Sequence, residues 1–76
     1  MNNDRRSRLQ EVRESLDDVI FQIEEIKDEE QEALDNMPEG LQQTERGDKM
    51  QMAIDTMDEA ISAIGEVQQT IDKAAQ

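Results

Sequence analysis

Pro38 stands between two stretches in which apolar residues recur at alternating spacings of three and four, a pattern that restricts the chain to helices folding back beside one another. From Leu9 the first series runs through Val12, Leu16, Val19, Ile23 and Ile26, then in step through Glu30 and Ala33 to Met37. With Leu9 as position a of a heptad, only Glu30 breaks the apolar a/d rule. The spacing predicts a first helix over about residues 4–36, capped by Asn3 or Asp4. Pro38 forbids continuation, disfavours helical geometry at Met37 and opens the turn Pro38-Glu39-Gly40. The second series has Met50, Met57, Ile64 and Ile71 at a, and Ala53, Ala60, Val67 and Ala74 at d. It predicts a second helix over about 47–75 after a loop over about 37–46. That helix starts between Thr44, a good cap, and Asp48, because Gly47 is a poor early helical residue. Each helix is about 45–50 Å long at 1.5 Å per residue, so the expected fold is all-α. A single domain over 1–76 forms an antiparallel two-helix coiled-coil hairpin.

In such a hairpin every a residue faces a d residue, and the two numbers in each layer share one sum. Here that sum is 83, giving eight layers from Ala33 with Met50, through Ile26 with Met57 and Val12 with Ile71, to Leu9 with Ala74. The flanks of this seam differ. On the e side Ile20 meets Ile61, Lys27 meets Ile54 and Leu34 meets Gly47, whereas the g side is mostly polar. With Phe21 at f, a lone hairpin would expose Ile20, Phe21, Leu34, Ile54 and Ile61. These five are therefore the expected dimer interface of a homodimeric four-helix bundle.

Charge is as uneven as hydrophobicity. Twenty acids against eight bases give a net charge of -12. Residues 1–13 hold Arg5, Arg6, Arg8 and Arg13 against Asp4 and Glu11, while residues 14–39 hold eleven acids against Lys27 alone. The N-terminal end of a helix dipole does not favour cations, so the arginines are expected to pair with carboxylates such as Glu11, Glu14, Glu66 and Asp72. Along the acidic stretch carboxylates recur about every 3.5 Å, close to the ~3.4 Å phosphate spacing of one DNA strand. Asp17, Asp18, Glu24, Glu25, Asp28, Glu32 and Asp35 occupy outer positions and form the candidate partner-binding face. The expected partner is a basic host or phage protein, with no direct nucleic-acid binding, because the chain itself is anionic.

Catalytic chemistry is not expected. The sequence has no Cys and no His, which removes thiol and imidazole catalysis, disulfides and the Glu-x-x-His ligand pairs of di-iron bundles. Residues 35–40 include Pro38 and lack the alternating oxygen ligands of a calcium loop, and no Gly-rich phosphate loop precedes a helix. No cofactor, metal or catalytic residue is therefore assigned. No apolar run reaches the ~18 residues of a membrane span and no signal-peptide core follows Met1, so a cytoplasmic location without membrane contact is expected. Glu30 reads as a register-fixing or snorkelling polar residue of the seam, and Gly65 at b as either neutral or the mark of a close approach by a partner.

The wording around the loop is more specific. Asp28-Glu29-Glu30-Gln31-Glu32-Ala33, then Asp35-Asn36-Met37-Pro38-Glu39-Gly40-Leu41-Gln42 and Glu45-Arg46-Gly47, follow an opening Met1-Asn2-Asn3-Asp4-Arg5-Arg6. The chain resembles a family of short, acidic helical proteins of bacteriophages and mobile elements of Gram-positive bacteria. The resemblance covers most of the chain but carries no catalytic or ligand motif. Family members tend to have Leu and Glu where this chain has Met57, Ser62, Gly65 and Gln68. The resemblance implies a phage or prophage setting, and within it an inhibitor or decoy acting on a host protein through the acidic face. The alternative is an assembly module acting through the apolar flank.

Overall fold

The computed structural model describes all residues, 1–76, as helices and short connections: α1 (Asn3–Asp35), α2 (Glu39–Gln42) and α3 (Glu45–Ala74). α1 starts one residue earlier than its cap was expected. Asn2, in extended geometry, accepts the Arg5 N–H on its side-chain oxygen at 2.8 Å. At its other end the Asn36 and Met37 amides donate back to Glu32 and Leu34 before Pro38 stops the ladder. The loop holds a helical turn of its own, α2, in which the Pro38 carbonyl accepts from Leu41 and Gln42. Thr44 occupies the cap position of α3, but its hydroxyl donates to the Leu41 carbonyl and caps no α3 amide. Glu45 and Asp48 in the first turn of α3 and Lys73 in the last have the signs its dipole favours.

α1 and α3 lie along each other. Arg6 is linked to Ala75, Arg13 to Asp72 and Lys27 to Asp58, so residue numbers rise along α1 as they fall along α3. The result is a rod with principal extents of 59 × 15 × 11 Å. Its radius of gyration is 17.4 Å, well above the roughly 11 Å of a compact domain this long. Such a shape leaves little interior: Leu34 and Ile54 are the only buried apolar side chains.

The seam between the helices is not the one the a/d pattern predicts. The a residues hold their place, since Leu9, Leu16, Ile23 and Glu30 on α1, and Met50, Met57, Ile64 and Ile71 on α3, are all half-buried. The second row is e rather than d. Ile20, Lys27, Ile61 and Ala75 are half-buried, and Leu34, Gly47, Ile54 and Gln68 are buried. The d residues Val12, Val19, Ile26 and Val67 are 51, 40, 56 and 49% exposed, and of the d alanines only Ala53 is half-covered. The assignment of Ile20, Leu34, Ile54 and Ile61 to an outward dimer interface is therefore corrected: each packs within its own chain. Phe21 alone of that set is exposed. Side-chain volume explains the rotation. The d row of α3 is three alanines and a valine, whereas the e rows bring Ile20, Leu34, Ile54 and Ile61 to the seam.

Candidate functional site

All seven carboxylates of the predicted binding face are exposed, at b, c and f positions turned away from the e/a seam. From Asp17 to Asp35 they extend about 27 Å along α1. None belongs to an ion pair, since the four in the chain are Arg8–Asp4, Arg13–Asp72, Lys27–Asp58 and Lys49–Glu45. Two of the seven are engaged as hydrogen-bond acceptors. Asp17 takes a bond from buried Gln68 at 2.7 Å, and Asp35 takes one from Gln31 at 3.0 Å. Asp18, Glu24, Glu25, Asp28 and Glu32 keep both oxygens free for a partner.

Lys27, the one base in this stretch, does not neutralise the row. Its ammonium reaches across to Asp58 Oδ1 at 2.9 Å, and the hydrogen bond and charge of Asp58 raise its pKa above the ordinary lysine value. Asp28 and Glu24 add smaller contributions of the same sign.

The basic N-terminal segment is partly neutralised, and of the expected partners Glu11, Glu14, Glu66 and Asp72 only Asp72 takes an arginine. Arg13 Nε donates to Asp72 at 2.8 Å, but Arg6 turns to the Ala75 carbonyl and to Asn3, and Arg8 lies 3.9 Å from Asp4. Gln68, which periodicity did not single out, is central here. Its Nε2 donates to both the Arg13 carbonyl and Asp17, so the termini end of the seam is closed by a polar cluster of Arg13, Asp17, Gln68 and Asp72. A polar residue in an otherwise apolar e row, opposite Arg13, was the available signal. Glu30 sits half-buried beside an open cleft with Glu45, Arg46, Lys49 and Met50.

A second surface lies on the side that the rotated seam leaves open. Because numbers run in opposite senses along α1 and α3, turning both helices from d toward e brings both d rows out on one side of the rod. That face carries Val12, Val19, Ile26, Ala53, Ala60 and Val67, bordered by the g residues. Shallow hollows lie along it, one lined by Arg5, Arg8, Leu9 and Val12, another by Met52, Ala53, Met57 and Ala60. Of the twenty acids in the chain, Glu29 is the only one at any d or g position, against Arg5, Arg8, Arg46 and Lys49. No helix of the chain is long and apolar enough to cross a membrane. No protein-family model, curated protein or solved structure matches the chain.

Proposed function

We propose that the chain is a non-enzymatic protein-binding module. It is an antiparallel coiled-coil hairpin that works as a homodimer and engages a basic macromolecular partner through the outer face of α1. In the phage or mobile-element setting that its wording resembles, it acts as an inhibitor or decoy in the host cytoplasm, occupying a surface that otherwise receives nucleic-acid phosphates. The observation that carries this reading is the un-neutralised row Asp18, Glu24, Glu25, Asp28 and Glu32, exposed and free of ion pairs over nearly half of α1. Affinity of this kind is long-range and salt-sensitive.

The test compares the native chain with a Glu24→Lys, Glu25→Lys, Asp28→Lys, Glu32→Lys variant as bait in host lysate. All four positions are exposed, so the fold survives the reversal. The native bait retains a basic protein at low salt and releases it at high salt or to competing DNA; the reversed bait retains none. Equal retention by both baits overturns the reading. The alternative, an assembly module, is favoured by the exposed Val12, Val19, Ile26 and Val67, and predicts capture that salt hardly changes.

A further inference from the structure

We propose that a second copy of this chain covers the Val12–Val19–Ile26 and Ala53–Ala60–Val67 face, lying on it head to tail so that α1 crosses α1 and α3 crosses α3. This deepens the dimeric reading above and rests on it.

Size comes first. The 59 by 15 Å side of the rod is close to the ~800 Å² per partner of a standard stable interface. The apolar rows on it, with Val12, Val19, Ile26 and Val67 between 40 and 56% exposed in one chain, are the area that two buried aliphatics leave the fold short of.

Charge selects like for like. In a chain of net charge -12, the approach of a second copy is opposed everywhere except where acids are missing, and they are missing from this face but for Glu29. Charge also selects the direction. Residues 1–13 carry four arginines against two acids, whereas residues 28–50, at the loop end, carry eight acids against Arg46 and Lys49. Head-to-tail packing sets each basic end against an acidic loop end, while the head-to-head alternative stacks the two loop ends together.

The register agrees. With Val19 on the two-fold axis, heptad spacing sets Val12 against the partner's Ile26, Arg5 against the partner's Ala33, and Arg8 beside the partner's Glu29. On α3 the same operation sets Ala60 against the partner's Val67 and Ala53 against the partner's Ala74, pivoting between Ala63 and Ile64. A single axis serves both helices only if Val19 and that pivot lie at one level of the rod. They do: pairs hydrogen-bonded across the seam have numbers that add to 81 or 85, and those of the two pivots fall between.

Sedimentation and single-cysteine crosslinking test the proposal. The native chain sediments as a dimer, and Val19→Glu with Ala60→Glu halves its mass; both positions are exposed, so the substitutions do not touch the seam. Val19→Cys, close to isosteric, oxidises to a covalent dimer by itself. Val12→Cys and Ile26→Cys crosslink when mixed and neither does alone. A monomeric native chain overturns the dimeric reading and this inference with it. A native dimer that survives Val19→Glu with Ala60→Glu overturns the face alone. A dimer that those substitutions break, but in which Val19→Cys crosslinks to Val67→Cys rather than to itself, overturns the direction.

Discussion

Gly47 and Gly65 lie in the same helix and carry the same intrinsic helical penalty, yet their surroundings demand opposite things of them. A Cβ on Gly47 collides with the Gln42 carbonyl oxygen and lies 2.6 Å from its carbon, where α2 tucks against the first turn of α3. Backbone cannot yield there as a side-chain tip can. Gly65 has nothing within 4 Å of a Cβ. Gly47→Ala should therefore lower unfolding stability by about 1–3 kcal/mol as an overpacked site. Gly65→Ala should raise it by about 0.5–1 kcal/mol through helix propensity. Urea unfolding of the two variants beside the native chain checks both signs; a stabilised Gly47→Ala would show that the α2 contact is dispensable.

At the scale of elements, Lys27 joins α1 to α3 by its bond to Asp58, and the link carries a pH signature. Its pKa is higher in the folded chain than the ordinary 10.5, so folding tightens proton binding. The stabilisation is fully present below the unfolded value and lost as pH rises through the folded one. The urea midpoint should stay level from neutral pH to about pH 10 and then fall. Lys27→Met should blunt that fall while changing stability at pH 7 only slightly, because solvent screens the pair. An unchanged alkaline limb in the variant would remove the pair from the account. The same helices show how far the pattern alone could be read. Helix type, extents and the alignment of α1 with α3 were legible, because Pro38 and two heptads fix them to within a few residues. The choice between d and e was not, since a, d and e together make one broad apolar stripe and a rotation about the helix axis leaves axial alignment unchanged. The shared sum of 83 was therefore blind to the error that moved Ile20 and Ile61 inward and Val19 and Ile26 outward. The exposure of the acidic face followed from its b, c and f positions. The engagement of Asp17 by Gln68 did not, because it depends on which row faces inward.

For the molecule as a whole, twenty acids on a narrow rod repel one another, and only three of them meet a basic side chain within 3.5 Å. Raising salt from low to physiological levels should therefore raise the thermal midpoint by screening this repulsion. A falling midpoint would mean that attraction between the basic and acidic ends dominates instead. The distribution of packing also sets an order of events. Leu34, Gly47 and Ile54, three of the four buried residues, cluster at the loop end, beside the shortest stretch of chain that must close to bring α1 and α3 together. Contacts of low sequence separation form there first, so the rod should close as a zipper from the loop toward the termini and open in reverse. Native-state amide hydrogen exchange should then be slowest around residues 27–34 and 50–57, quickening steadily toward both termini. A flat protection profile would mean that the two helices separate as one unit.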